Sequence, residues 1–277
     1  MGWKSCKIYK KTMKISVITI NYNGSIDLER TLRSVVFQKC EDFEYIVIDG
    51  GSTDGSLNII NQYKENIDVI ISEKDNGVYE AMNKGISFAT GDYCIFMNSG
   101  DYFYDEFVIE NFIKTSPVED IVSGVCCEHV RNRSQLWYPP KENDLCLRWF
   151  YRHSLSHQAT FIKTAIMKDL MYDSKYRIVS DWKFFMEALL VRRSSYAWID
   201  LKVCHYMDGG LSRNADKAFA ERENVIKSLF GNRILRDCHS MEYGTDEWDA
   251  LAKKVDYKSK IGKFIFIMTR FLLKFRR

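Results

Sequence analysis

An aspartate that follows a short buried strand and a glycine is a natural seat for a divalent cation. Cys94-Ile95-Phe96-Met97-Asn98-Ser99-Gly100-Asp101 supplies one at Asp101. The four apolar residues are too few for a helix and read as a fully buried strand. The polar residues after them then fall at its carboxyl edge, where open α/β sheets bind ligands. Three further apolar runs end the same way. Residues 15–20 lead into Asn21-Tyr22-Asn23-Gly24, residues 45–48 into Asp49-Gly50-Gly51-Ser52, and residues 69–71 into Glu73-Lys74-Asp75. One polar strand end is ordinary turn chemistry. Four on one edge point to a ligand crevice.

The spacing of apolar residues predicts the elements that position these groups. Leu28, Leu32, Val35 and Val36 predict a helix over 26–38, and further helices are expected over 56–64 and 79–89. Strands alternating with helices in this way mean βαβ units and a mostly parallel, Rossmann-like sheet flanked by helices. The second half reads less regularly. A helix is expected over 105–115 and a strand over 119–126. Residues 128–160 look loop-like, with Trp137, Tyr138, Trp149, Phe150 and Tyr151 around Pro139-Pro140. A helix starts near Asp181, a strand covers 197–204, and residues 215–237 are helical. The expected division is a basic leader over 1–13, a domain over 14–235 with halves 14–103 and 104–235, and a helical basic tail over 236–277. Translation starting at Met1 and translation starting at Met13 both fit the leader.

A chain of 277 residues, 46% hydrophobic and 28% charged, can bury a sizeable core. A net charge of +3 is too small to argue for a nucleic-acid partner. The eight cysteines contain no C-x-x-C pair, so the sequence gives a zinc or redox site no support. No window has the ~20 apolar residues of a spanning helix. With no signal peptide in view, reduced thiols in a cytoplasmic protein are expected.

The motifs I-S-V-I-T-I-N-Y-N at 15–23, V-I-D-G-G-S-T-D-G-S at 47–56, D-N-G-V-Y-E-A-M-N-K-G at 75–85 and G-D-Y-C-I-F-M-N-S-G-D at 91–101 together resemble the family 2 inverting glycosyltransferases of GT-A fold. Weaker matches continue in S-H-Q-A-T-F at 156–161 and V-S-D-W at 179–182. The chain looks most similar to bacterial enzymes of O-antigen, colanic-acid and capsule biosynthesis. The resemblance implies transfer of a sugar from a nucleoside-diphosphate sugar to a saccharide or polyprenyl-linked acceptor. It also implies a divalent metal, Mn2+ or Mg2+.

By that resemblance Asp101 is the metal ligand. The family's usual Asp-x-Asp is here Ser99-Gly100-Asp101, so only the last carboxylate is kept and Gly100 stands at the position that usually contacts the ribose. Ile20, Asn21, Tyr22, Asp49 and Ser52 would surround the nucleobase and ribose, with Tyr22 able to stack on the base. Asp75, Gly77, Asn83 and Lys84, together with Asn98, Ser99 and Gly100, would complete the donor site. The family places an acid at a helix start in its second half, so Asp181 is the expected general base. His157 is the rival base or a structural hydrogen-bonder, and with Gln158 it falls on the acceptor side. His205 and the turn 208–212 fit an acceptor-side flap or a plain loop. Residues 258–277 interleave basic and apolar groups, as suits either an amphipathic helix on an anionic membrane surface or a helix packed on the domain. The first reading puts the protein at the inner face of the cytoplasmic membrane. The single-acid metal motif also admits a degenerate, saccharide-binding scaffold subunit.

Overall fold

The computed structural model describes residues 12–130, 133–207 and 215–254. They form two compact units, one ending at Arg222 and one beginning at Glu223. In the first unit, β1 (Ile15–Asn21), β2 (Phe43–Asp49), β3 (Val69–Ser72) and β4 (Tyr93–Phe96) alternate with α1 (Ser25–Val36), α2 (Ser56–Gln62) and α3 (Val78–Phe88). These four strands pair in parallel, as largely apolar runs buried on both faces should for β1, β2 and β4, while β3, at the sheet's edge, is only half-buried. Every residue of β1 is buried. Helix α3 lies so close to β1 that a Cβ on Gly85 would come within 2.5 Å of Ile18 Cγ2.

The same sheet continues into the second half through β5 (Tyr102–Phe103), α4 (Val108–Lys114), β6 (Ile121–Val130), β7 (Arg133–Trp137), α5 (Leu147–Arg152), β8 (Thr160–Lys163), α6 (Thr164–Leu170), α7 (Ser180–Met186) and β9 (Tyr196–Met207). Strand order is β3-β2-β1-β4-β8-β6-β9-β5, with β7 attached to β6. The antiparallel β4–β8 contact joins the two halves into one sheet. Strands β6 and β9 pair in parallel, with an irregularity near Gly124, where a Cβ would meet Val203 Cγ2 and Leu201 O. The expected mostly parallel, helix-flanked sheet is therefore present.

One expectation is overturned. Residues 128–160 are not loop-like: β6 runs to Val130, pairs with β7, and α5 follows. Strand β7 is exposed over most of its length and so lacks the apolar alternation that marks a strand. A turn of π-helix, Glu187–Val191, extends α7.

The last described element, α8 (Ala215–Lys254), runs past the expected end at 237 and has a non-helical residue at Gly231. Most of the basic leader, the turn 208–212 and the basic segment 258–277 lie outside the described residues. Among the described residues no helix is long and apolar enough to cross a membrane.

Candidate active site

The register of the parallel strands builds the first wall. Asn21 pairs with Asp49 at the last rung of the β1–β2 ladder. Beyond the β1–β4 ladder, Met97 N–H donates to Ile18 O and Ser99 N–H to Ile20 O. Residues 97–99 are thereby laid against the end of β1. The turn that follows is fixed from α1. Thr31 Oγ1 donates to Asp101 O at 2.7 Å and accepts from Gly100 N–H at 3.0 Å, and Arg30 Nη2 donates to Gly100 O at 3.0 Å. Gly100 has φ 106°, a conformation that favours glycine.

Between these strand ends and the start of α3 opens a cleft of about 680 Å3. Ile20, Asn21, Tyr22, Asp75, Gly77, Asn98 and Ser99, all named from the sequence, line it together with Lys74. Tyr22 stands at its wall 69% exposed, a free aromatic face. A Cβ on Gly50 would lie 3.2 Å from Tyr22 Cδ2 and 3.3 Å from Asp75 Oδ2, so backbone forms that side. Three buried acceptor oxygens among the lining residues have no hydrogen-bond partner: Asn21 Oδ1, Asp75 Oδ2 and Asn98 Oδ1. An unsatisfied buried acceptor costs about 1–3 kcal/mol. Three in one cleft therefore mark a surface built for a ligand rich in N–H and O–H donors.

Other expected donor-site residues stand behind the cleft. Asp49 is fully buried and accepts from Asn21 Nδ2, Ser52 N–H, Ser52 Oγ and Ser72 Oγ. Burial alone would raise its pKa, but these donors hold it below the ordinary value. Ser52 Oγ also accepts from Asn23 N–H at 2.8 Å, tying the second strand's loop to the first. Lys84 is paired with Asp75 at 2.5 Å and Glu73 at 2.7 Å. Desolvation pushes its pKa down, yet those carboxylates hold it above normal. Asn83 faces away, donating to Tyr172 O at 2.7 Å and accepting from Tyr172 N–H at 2.8 Å.

A second pocket, of about 290 Å3, contains Asp181, His157 and Gln158 with Trp182 and Arg222. Asp181 lies in the first turn of α7. Its carboxylate accepts from Tyr79 Oη at 2.9 Å and from His157 Nδ1 at 3.2 Å. Burial pushes its pKa up, but His157 and then Tyr79 outweigh this, and the group is held low, as a carboxylate. Asn98 Nδ2 donates to His157 Nε2 at 3.1 Å, which assigns the imidazole proton to Nδ1. One chain of bonds thus runs from the cleft through Asn98 and His157 to Asp181.

Asp101, 6% exposed, lines neither cavity; it follows Ser99 of the cleft by two residues and is bonded by Gln158 of the second pocket. Gln158 Nε2 donates to one of its oxygens at 3.1 Å and Met207 N–H to the other at 3.2 Å. Burial pushes its pKa up to about 6, against the hydrogen bonds from Gln158 and Met207. A buried carboxylate in that condition gains from a cation, so the residue fits the metal-binding role.

Three positioning groups had no role in the sequence reading. Tyr79 lies within a recognised motif, yet its bond to Asp181 spans 102 residues. Glu221 accepts from the backbone N–H groups of Arg177, Ile178 and Val179, holding the entry to α7. Arg222 stacks over Trp182, with its guanidinium carbon 5.0 Å from the ring centre. The last two carry no local signal.

Residues 16–178 match the family model for Glycosyl transferase family 2. A PGL/p-HBAD biosynthesis glycosyltransferase of Mycobacterium tuberculosis is 31% identical over 220 residues, covering 75% of this chain and 82% of that protein. TuaG of Bacillus subtilis, named for teichuronic acid biosynthesis, is 39% identical over 90 residues, 31% of this chain and 36% of that one. Among solved structures, S. aureus TarS in complex with UDP-GlcNAc aligns with a TM-score of 0.63 at 21% identity, covering 78% of this chain and 66% of that one. A mannosyltransferase from Pyrobaculum calidifontis in complex with GDP-Man and Mn2+ aligns at 0.55 and 15%, covering 95% and 86%.

Proposed function

The chain belongs to glycosyl transferase family 2, and we propose that it transfers a sugar, with inversion, from a nucleoside-diphosphate sugar to a saccharide acceptor. The observation that carries this reading is the cleft with three orphaned acceptor oxygens, joined by one hydrogen bond to the His157–Asp181 pair. A nucleobase and ribose supply the N–H and O–H groups those oxygens lack. Tyr22 stacks on the base. Asp49 and Ser52 act behind this surface, fixing Asn21 and the loop after β2, and Lys84 acts through Asp75.

In the reaction, the acceptor hydroxyl oxygen attacks the anomeric carbon from the face opposite the nucleotide. Its proton passes to the Asp181 carboxylate, while the carbon–oxygen bond to the diphosphate breaks and that group leaves with the electron pair. His157 and Tyr79 orient the carboxylate, and Gln158 orients Asp101. A divalent cation held by Asp101, Mn2+ or Mg2+, would neutralise the charge growing on the leaving diphosphate. The names of the mycobacterial relative and TuaG support a place in cell-surface glycan biosynthesis. Within it we propose the O-antigen, colanic-acid or capsule type, acting on a polyprenyl-linked acceptor at the cytoplasmic membrane face.

Calorimetry with UDP, GDP and CDP, with and without Mn2+, tests donor binding; the expected result is metal-dependent affinity for one of them. Transfer from a labelled nucleotide sugar tests the base. Asp181→Asn should keep nucleotide affinity and lose about 10²–10⁴-fold in rate, the usual worth of a general base. Normal turnover by that variant would remove Asp181 from the mechanism. Absence of any metal-dependent nucleotide binding would favour a scaffold subunit.

A further inference from the structure

The other face of the β6–β9 pair carries a second constellation. Strands alternate faces, so Cys127 and His129 of β6 share one side while Glu128 points to the other. In the parallel register Cys127 pairs with His205, and Glu128 with Tyr206. Glu128 and Tyr206 line the pocket of Asp181. Cys127, His129 and His205 therefore meet on the side of the strand pair away from it.

The three ligand atoms all lie within 4.8 Å of one another. Cys127 Sγ is 3.7 Å from His129 Nε2, and His129 Nε2 is 2.8 Å from His205 Nδ1. Zinc bonds of about 2.3 Å to sulfur and about 2.05 Å to nitrogen give tetrahedral edges of about 3.6 Å (S···N) and about 3.3 Å (N···N). The Cys127–His129 edge is already met, the His129–His205 edge needs about half an ångström of opening, and the second sulfur edge, Cys127 to His205, lies within 4.8 Å and needs at most about 1.2 Å of closing.

The surroundings are those of a ligand set. His129 Nδ1 is 2.9 Å from Ser134 Oγ, the outer partner that turns Nε2 inward as an acceptor. The His205 ring stacks on Tyr102 at 4.6 Å and 19° and on Tyr104 at 5.0 Å and 11°, which fixes its plane. Cys127 is buried and unbridged.

We propose that Cys127 Sγ, His129 Nε2 and His205 Nδ1 bind a zinc ion that pins β6 to β9 behind the Asp101 turn, with a fourth position left for water. Binding moves the His205 proton from Nδ1 to Nε2 and releases one proton, that of the Cys127 thiol. The zinc would brace the active site from outside it. Tyr102 follows Asp101 directly, and Met207, two residues after His205, donates to the Asp101 carboxylate.

The test is cobalt(II) titration of the full chain. The expected result is a thiolate-to-cobalt charge-transfer band with tetrahedral ligand-field absorption, saturating at one equivalent and displaced by zinc. The band should persist in Asp101→Asn and vanish in Cys127→Ser. Ser134 is exposed, so Ser134→Ala should fold normally, and its zinc affinity should fall about 10–100-fold, as loss of an outer partner does. No thiolate band in the wild type, a band surviving Cys127→Ser, or unchanged zinc affinity in Ser134→Ala would each overturn the proposal. Any of these would leave an imidazole pair sharing one proton.

Discussion

Replacing Asp101 by asparagine in metal-free protein isolates the cost of one buried charge. In the folded chain that carboxyl titrates at about 6, against 3.8 for an ordinary aspartate. The folded-state value is the higher one. Below 3.8 both states are protonated and no penalty exists; as pH rises through about 6 the folded state must keep a charge that the unfolded chain hydrates, and stability falls. At about 1.4 kcal/mol per pH unit the gap amounts to about 3 kcal/mol.

Asparagine has no such titration. Its amide nitrogen would face either Met207 N–H or Gln158 Nε2, a donor against a donor, but that cost is the same at every pH. The difference in unfolding free energy, variant minus wild type, should therefore grow by about 2.5 kcal/mol between about pH 4 and about pH 8. Urea denaturation with a chelator present measures it. Adding Mn2+ at about 100 times its Kd should return about 2.7 kcal/mol to the wild type and nothing to the variant. A difference that is flat with pH would refute the reasoning, because the carboxyl would then be no worse solvated folded than unfolded.

Three further outcomes follow from the same geometry. Tyr79→Phe removes a hydrogen bond that holds the Asp181 pKa down, so the acid limb of kcat/KM against pH should move to higher pH; an unmoved limb would detach Tyr79 from the base. Asn83→Ala breaks both bonds to the Tyr172 backbone and should cost about 1–3 kcal/mol in urea denaturation, with nucleotide affinity by calorimetry unchanged. Gly85→Ala drives a methyl into Ile18 and should lower stability by about 1–3 kcal/mol of overpacking, offset in part by about 1 kcal/mol of helix propensity.

The donor half was legible because its signals are local. Each of its first four strands is a contiguous apolar run with its polar groups immediately after it, so Asn21, Tyr22, Asp75 and Asn98 arrive at one edge by strand direction alone. Which polar group faces the cleft was not legible. Asp49 satisfies Asn21, Ser52 and Ser72, and Asn83 satisfies the Tyr172 backbone, and this depends on side-chain direction across paired strands and packed helices. In the second half, β7 escaped notice because an exposed edge strand has no buried face to imprint a period. The Cys127, His129 and His205 cluster escaped for another reason. Its members are joined by strand register across 76 residues, and no motif spacing records that.

Helix α3 belongs by sequence to the nucleotide-binding half, yet two of its side chains serve the other one: Asn83 grips the Tyr172 backbone and Tyr79 touches the proposed base. Recombining this chain with a relative of different acceptor preference at the 103/104 seam would therefore separate Asp181 from the tyrosine that holds it. Chimeras that import residues 78–88 along with the incoming acceptor half should outperform those cut at the seam. Directed evolution of acceptor choice should likewise find compensating changes on this helix.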